Sequence, residues 1–227
     1  MTSIPTTPES SSGNSTGSSA KPTPKQSNIA QLDLPEHPNR ILVADDELLV
    51  AQGIVASLKS LGFNIVGPCK NGNEAIQLCH NDRPDIALLD IQMPIVDGMQ
   101  AAKIIFNELD IPVVMLTAYS DETYIRNCIA AGVFGFLLKP VSSEQLGAGL
   151  KVAWQRFLDH VEQRDQIIDL KHRLEARKLI EQAKWIIVKR KSVSEPDAMK
   201  MLQKQSRSSR KSIDAVARAV IDSDGLL

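Results

Sequence analysis

Residues 86–98 read IALLDIQMPIVDG, a short apolar run that ends in Asp90 and passes into a loop with Pro94 and Gly98. Runs that are continuously apolar rather than alternating are typical of strands buried on both faces. Four further runs share this shape, and they are RILVADD at 40–46, the weaker NIVGPCK at 64–70, PVVMLTAYS at 112–120 and GFLLKP at 135–140. The sequence therefore predicts five buried strands.

Helical patterns lie between these runs. Apolar side chains recur every three or four positions in residues 48–61, and shorter patterns of the same kind follow at 73–80, 99–107 and 123–130. Strict alternation of strand and helix indicates a parallel sheet, and right-handed crossovers place helices on both of its faces. We therefore predict an α/β fold with a doubly wound, five-stranded parallel sheet.

Charged and polar side chains follow the predicted strands where each strand ends. Asp45 and Asp46 follow the first strand, Asp90 ends the third, Thr117 ends the fourth and Lys139 ends the fifth. Ligands of a doubly wound sheet bind outside the carboxyl ends of its strands. The topology therefore predicts that these side chains meet at one edge of the sheet.

Three carboxylates in one crevice repel one another unless a cation neutralises them. A highly charged set of oxygen ligands suits Mg2+, which keeps several waters and accepts phosphate oxygens. We expect Asp46, Asp90 and the backbone carbonyl of Gln92 to bind the ion directly, and Asp45 to bind it through a water.

The same residues suit phosphoryl chemistry. The carboxylate of Asp90 can attack a phosphoryl group to form an acyl phosphate. Lys139 and the metal would then offset the charge of the phosphoryl oxygens, and Thr117 would donate a hydrogen bond to one of them. We therefore interpret Asp90, Thr117 and Lys139 as the residues that carry the reaction.

The motifs VADDE, LLDIQMPIVDG, MLTAYS and FLLKP resemble those of response-regulator receiver domains in order, spacing and strand context. The resemblance covers about 112 residues, from 40 to 151. It implies a flavodoxin-like fold for residues 40–151, Asp90 as the phosphorylation site and a sensor histidine kinase as the phosphoryl donor.

The resemblance also implies a switch, in which phosphorylated Asp90 draws Thr117 inward and Phe136 follows. Many family members carry Tyr at the position of Phe136, and simple core packing of this ring is an equal alternative. Lys139–Pro140 resembles the cis peptide of the family. Tyr119 occupies a variable position beside the site, where it would screen the acyl phosphate from water.

One long helix, or two with a slight break, is predicted beyond the receiver, because no Gly or Pro interrupts residues 150–188. We place its start near Ser143 as an N-cap. Trp154 and Phe157 begin an imperfect heptad seam, so we interpret residues 152–174 as a linking helix that forms the coiled coil of a homodimer. Packing of this stripe onto its own chain is the alternative.

The C-terminal part of the chain is basic. Residues 177–211 hold 11 Lys and Arg against 3 Asp and Glu, although the net charge of the whole chain is −1. We predict a small three-helix, all-α unit over residues 175–222, with short helices at about 198–205 and 212–222 and Ser194 as an N-cap. Its positive charge suits contacts with the phosphates of a nucleic acid.

This segment resembles the ANTAR output domain of transcription antitermination regulators, through Arg177, Ile180, Ala183, Lys184, Ala198, Leu202, Ser206 and Ala217. The resemblance implies binding to RNA stem-loops that prevents a terminator hairpin from forming. Our candidate RNA contacts are Lys184, Lys189, Arg190, Lys191, Arg207, Arg210 and Lys211. Trp185 stands where the family usually has Gly; we expect it to pack in the small core, and an extra base-stacking surface is the alternative.

These features predict a two-component response regulator in which phosphorylation of Asp90 promotes dimerisation and RNA binding for transcription antitermination. A DNA-binding regulator is one alternative, although we find no clear helix-turn-helix. A phosphorelay protein with a protein-binding C-terminal unit is another. An enzymatic output is disfavoured because residues beyond 151 hold no grouped nucleophile and base. The protein would therefore catalyse only its own phosphorylation and dephosphorylation.

The rest of the chain adds little chemistry. Residues 1–39 are rich in Ser, Thr, Pro and Gly and poor in large apolar residues, which predicts a disordered tail. The three cysteines have no metal-site spacing and are typical of free thiols in a reducing cytosol. No apolar run approaches the roughly 18 residues of a membrane helix, and we find no secretory signal, so we expect a cytoplasmic protein without membrane contact.

Overall fold

The structure is a computed structural model and describes residues 34–118 and 132–224. Within these ranges five parallel strands form one sheet, and they are β1 (Arg40–Ala44), β2 (Asn64–Cys69), β3 (Ile86–Asp90), β4 (Val113–Thr117) and β5 (Val133–Leu138). Their order is β2-β1-β3-β4-β5, which is that of the flavodoxin-like doubly wound fold. The five predicted strands are confirmed, whereas Tyr119 and the predicted helix at 123–130 lie outside the described residues.

Helices cover both faces of the sheet. They are α1 (Leu48–Ser60), α2 (Gly72–Asp82) and α3 (Gly98–Leu109) between strands, and α4 (Ser143–Lys191) after β5. Because side chains alternate across a strand, Leu42 and Ala44 face a core with α2 and α3. Ile41 and Val43 face a second core with α1 and the first part of α4. The doubly wound α/β architecture is therefore confirmed.

The register of the strands brings the site residues together. Ala44 of β1 pairs with Leu89 of β3, which places Asp45, the next residue along, beside Asp90. On the other side of β3, Asp90 itself pairs with Leu116 near the end of β4. The carboxyl ends of the central strands are thus level with one another.

Helix α4 begins with a capping box. The side chain of Ser142 accepts a hydrogen bond from the backbone N–H of Gln145 at 3.2 Å, and the side chain of Gln145 accepts one from the backbone N–H of Ser142 at 2.9 Å. The prediction of Ser143 as N-cap is therefore wrong by one residue. Only Ser142 has a glutamine three positions later, as a capping box requires.

The first part of α4 belongs to the core of the sheet domain, although α4 is one helix of 49 residues. Trp154 and Phe157 are 3% and 2% exposed, and the indole of Trp154 donates a hydrogen bond to the carbonyl of Pro35 at 3.3 Å. Further along, Arg164 Nη1 lies 2.9 Å from Asp110 Oδ1 at the end of α3. The predicted coiled-coil seam is therefore wrong at Trp154 and Phe157, which pack on their own chain.

Two shorter helices, α5 (Glu195–Ser209) and α6 (Ile213–Asp224), pack with the last turns of α4. The side chain of Ser194 caps α5, as predicted, by accepting a hydrogen bond from the backbone N–H of Asp197 at 3.3 Å. The core of this unit contains the buried residues Ala183, Leu202, Val216 and Ala217. The three-helix unit is thus present. None of the described helices is both long enough and apolar enough to span a membrane.

Candidate functional site

Three carboxylates meet at the carboxyl edge of the sheet, in the segments that follow β1 and end β3. Asp45, Asp46 and Asp90 each offer one oxygen atom, and these atoms all lie within 4.8 Å of one another. Asp45 and Asp90 are buried, at 1% and 6% exposed, whereas Asp46 is exposed. The predicted acidic residues are therefore close together, and Asp46 opens their cluster to solvent.

Lys139 provides the positive charge of this cluster. Its Nζ lies 2.7 Å from Asp45 Oδ2 and 3.0 Å from Asp90 Oδ1. Its backbone N–H donates to the carbonyl of Thr117 at 2.8 Å, and the Lys139–Pro140 peptide is cis, as the sequence resemblance implies. Lys139, the residue that follows β5, therefore places its ammonium group between two buried carboxylates.

The charges of the cluster do not balance. Burial raises the pKa of Asp90, and the hydrogen bond and charge of Lys139 offset this only in part. Burial also acts to lower the pKa of Lys139, but its hydrogen bonds to Asp45 and Asp90 outweigh burial and hold that pKa above its usual range. One ammonium beside three carboxylates leaves an excess of negative charge. This oxygen-only donor set, with Asp46 open to solvent, fits a hydrated Mg2+.

Gly98 allows helix α3 to start directly against Asp90. A Cβ at position 98 would lie 1.9 Å from the carbonyl oxygen of Asp90. The backbone N–H of Gly98 donates to the carbonyl of Ile91 at 3.0 Å, and Asp97 caps the helix by accepting from the backbone N–H of Gln100 at 2.7 Å. Sequence reasoning missed this role of Gly98, although the pair Asp97-Gly98 at the predicted helix start was its signal.

The other predicted site residues lie around the cluster. Gln92 is exposed, in the loop that lines a cleft together with Asp46 and Asp97. Thr117 is half-buried at the end of β4. Phe136 is partly buried and packs against the core beneath α2 and α3. The metal-binding role of Gln92 and the switch roles of Thr117 and Phe136 stay predictions.

The predicted RNA contacts differ in the partners that they already have. Lys184 is 13% exposed in its side chain, and its Nζ lies 2.6 Å from Glu195 and 2.9 Å from Glu181. Hydrogen bonds to these carboxylates raise the pKa of Lys184, so that it joins α4 to α5. Arg190 forms an ion pair with Asp224. The remaining candidates are exposed or half-exposed and have no ion pair within the described part of the chain, namely Lys189, Lys191, Arg207, Arg210 and Lys211.

Trp185 does not pack in the small core. Its side chain is 74% exposed, so the expectation of core packing is wrong. A helix turns about 100° per residue, and Trp185 therefore points away from Ile180, Ala183 and Ile187, which form the core side of α4.

Two family models match the chain in separate parts. The model described as a response regulator receiver domain matches residues 41–151, and the model described as an ANTAR domain matches residues 169–221. The transcriptional regulatory protein PdtaR of Mycobacterium tuberculosis is 34% identical over 188 residues, which cover 83% of this chain and 92% of PdtaR. The chain belongs to the ANTAR response regulators. The predicted combination of a receiver domain with an ANTAR domain is thereby confirmed.

The receiver part of this response regulator has further similarities. Transcriptional regulatory protein YdfI of Bacillus subtilis is 36% identical over 109 residues, which cover 48% of this chain and 51% of YdfI. The signal receiver domain of a modulated diguanylate cyclase from Desulfovibrio desulfuricans matches 55% of this chain and 99% of its own, with a TM-score of 0.51 and 28% identity. Receiver domains bind Mg2+ at an acidic pocket, and this response regulator has the corresponding cluster of aspartates.

Proposed function

We propose that this response regulator takes a phosphoryl group from a sensor histidine kinase on Asp90, and that in this state it binds RNA stem-loops and prevents transcription termination. The proposal rests on the position of the Asp90 carboxylate. It lies in one cluster with Asp45 and Asp46, and 3.0 Å from the ammonium of Lys139. The receiver domain supports a histidine kinase as partner, and the ANTAR domain supports RNA as ligand.

Asp90 supplies the nucleophile of the phosphoryl transfer. One oxygen of its carboxylate forms a bond to phosphorus while the phosphorus–nitrogen bond of the donor phosphohistidine breaks, and the electron pair returns to the imidazole. The ammonium of Lys139 stabilises the negative charge of the phosphoryl oxygens, and the hydroxyl of Thr117 donates a hydrogen bond to one of them. A bound Mg2+ would neutralise the acidic cluster and the phosphoryl group, with Asp46, Asp90, the carbonyl of Gln92 and, through a water, Asp45 as its ligands.

The signal leaves the site through β4, which pairs with β3, and through β5, the next strand of the sheet. Movement of Thr117 toward the phosphoryl group changes the end of β4, and Phe136 lies on the neighbouring strand β5, where it pairs with Met115. Helix α4 follows β5 and packs against it. A change in the packing of Phe136 therefore affects the helix that leads to the ANTAR domain. A charge added at one site can in this way shift the balance between two conformations of a neighbouring element.

A homodimer is the second part of the proposal. Beyond the sheet domain, Ile167, Leu170 and Leu174 are 52%, 63% and 56% exposed. They stand at positions i, i+3 and i+7 of α4, on one face of the helix. We infer that phosphorylation favours the pairing of this stripe with the same stripe of a second copy, which places the seam beyond Trp154 and Phe157.

The proposed organisation is a tail at 1–39, a receiver domain at 40–151, a linking helix at 152–174 and an RNA-binding domain at 175–222. Within the proposed tail, Leu34 packs against the core beneath α1 and α4. The protein would work in the cytoplasm, without an enzymatic output beyond its own phosphorylation and dephosphorylation.

Crosslinking and sequencing of bound RNA, from cells that carry wild type or the Asp90→Ala variant, tests the proposal. Lys103→Ala, which changes an exposed lysine of α3, is the matched control. We expect wild type and the control to recover structured leader RNA and Asp90→Ala to recover much less. Recovery by neither wild type nor variant would refute RNA binding, and binding to duplex DNA instead would favour the DNA-binding alternative.

A further inference from the structure

The two tryptophans of the chain have opposite surroundings. Trp154 is 3% exposed, and its indole N–H donates to the carbonyl of Pro35 at 3.3 Å. Trp185 is 74% exposed and lies on the side of α4 that faces away from the core of the ANTAR domain. An exposed indole presents a large and rigid apolar face, which is the kind of surface that binding sites use. The structure thus gives Trp185 no part in holding the domain together.

Positive charge lies on both sides of this indole along the helix. Lys178 and Lys189 are exposed and stand seven positions before and four positions after Trp185. These spacings keep all three side chains on one face of α4, about 10 Å and about 6 Å from the tryptophan along the helix axis. Neither lysine has an ion pair within residues 34–118 and 132–224. An aromatic face between cations is the arrangement that binds unpaired nucleotides, because the base stacks on the ring while the lysines bind phosphates.

A second copy of the chain fits this face less well. The exposed apolar stripe of α4 ends at Leu174, and Lys178, Glu181 and Gln182 separate it from Trp185. In a parallel two-fold dimer of α4 the same positions face each other. Lys178 would then oppose Lys178, and Lys189 would oppose Lys189, at an energetic cost. Glu181 is the acidic side chain between Lys178 and Trp185, and its carboxylate lies 2.9 Å from Lys184 Nζ. Because its charge is already paired, a polyanion on this face meets less repulsion than a second copy does.

We propose that Trp185 stacks on an unpaired base in the loop of the RNA, while Lys178 and Lys189 bind the phosphates on either side of that base. This inference rests on the proposed RNA binding and adds the contact that reads the loop. Stacking tolerates any base, because every base has an aromatic face. Trp185 therefore favours unpaired over paired nucleotides rather than one sequence over another.

The test compares two RNA hairpins with identical stems, one with a loop of adenosines and one with a loop of abasic ribose phosphates. Both carry the same charge, so that their difference in affinity isolates the bases. Full-length wild type, Trp185→Ala, Trp185→Phe and the control Lys103→Ala, which changes an exposed residue of α3, are titrated with each hairpin, with and without acetyl phosphate and Mg2+. Stacking of one base contributes about 5- to 150-fold in affinity, and wild type is expected to prefer the adenosine loop by a factor in this range.

Trp185→Ala is expected to lose this preference while its affinity for the abasic hairpin stays within twofold of wild type. Trp185→Phe retains most of the preference, and Lys103→Ala retains all of it. Equal binding of both hairpins by wild type overturns the inference and leaves RNA binding intact. Binding of neither hairpin refutes RNA binding and the inference with it. If Trp185→Ala keeps the preference but weakens dimerisation in sedimentation, Trp185 is a dimer contact and the inference is wrong.

Discussion

Replacing Gly98 by Ala tests whether the phosphoryl-acceptor loop depends on the close approach of helix α3. A Cβ at position 98 would lie 1.9 Å from the carbonyl oxygen of Asp90 and 3.1 Å from Cα of Ile91. A carbon and a carbonyl oxygen in contact are about 3.3–3.6 Å apart. The backbone of the loop or of the helix must therefore move by more than about 1 Å to admit the methyl group.

The expected loss of stability follows from two opposing effects. Overpacking costs about 1–3 kcal/mol even where flexible side chains can yield, and at Gly98 the obstacle is backbone. Alanine gains at most about 1 kcal/mol over glycine in a helix, because it loses less backbone entropy on folding. We therefore expect Gly98→Ala to lower the free energy of unfolding by about 2 kcal/mol or more, and to slow the phosphorylation of Asp90.

Urea unfolding, followed by tryptophan fluorescence that changes as the buried Trp154 becomes exposed, measures the effect. A phosphate-affinity gel measures modification by acetyl phosphate. Gly53→Ala is the matched control, because position 53 lies within α1 and a Cβ there would meet no neighbouring atom within 4 Å. The control should gain about 0.5–1 kcal/mol and be phosphorylated normally. If Gly98→Ala is as stable as wild type and reacts at the same rate, the acceptor loop does not depend on the close approach of α3.

Three further predictions concern other parts of the chain. Lys139→Ala leaves two buried carboxylates without their counter-ion, so we expect the free energy of unfolding, measured with urea in EDTA, to fall by about 3 kcal/mol, and to fall by less when Mg2+ is present. A decrease no larger than that of Lys103→Ala would contradict this. Ser194→Ala removes the N-cap of α5 and should destabilise the ANTAR domain by about 1 kcal/mol, measured as faster hydrogen exchange in α5; unchanged exchange would count against the cap. Burial raises the pKa of Cys69 and Cys79 from 9.0 to about 12, so both thiols should react with an alkylating reagent at pH 8 far more slowly in the folded than in the unfolded protein. Since the folded state holds these protons more tightly, stability is retained below pH 9 and falls as the pH rises toward 12; a stability that rises over this interval would refute the assignment.

The sheet and the acidic cluster were predictable because both depend on local patterns. Each strand is a short apolar run, and parallel topology alone brings Asp90 to the same edge as Asp45 and Lys139. The contact of one ammonium with both carboxylates was not predictable, since it depends on strand register. The close approach at Gly98 depends in the same way on where α3 begins.

For helix α4, the periodicity of apolar residues did not determine which part of the molecule covers its apolar face. The spacing of Trp154 and Phe157 indicates a covered face, but it does not tell whether a second chain or the chain's own sheet covers it. Charge counts have a similar limit, because Lys184 contributes to the basic surplus and yet pairs with two glutamates. The exposure of Trp185 could have been derived, since Ala183 and the apolar residues around it already define the opposite face as core.

Identification of the phosphorylated residue is the decisive measurement for Asp90 as the phosphoryl acceptor. The protein is treated with acetyl phosphate and Mg2+, the acyl phosphate is reduced with borohydride, and the modified residue is located by peptide mass spectrometry. We predict that the modification falls on Asp90 in wild type and that Asp90→Asn remains unmodified. Modification of Asp45, Asp46 or Asp97 in the wild type, or undiminished labelling of Asp90→Asn, would contradict it.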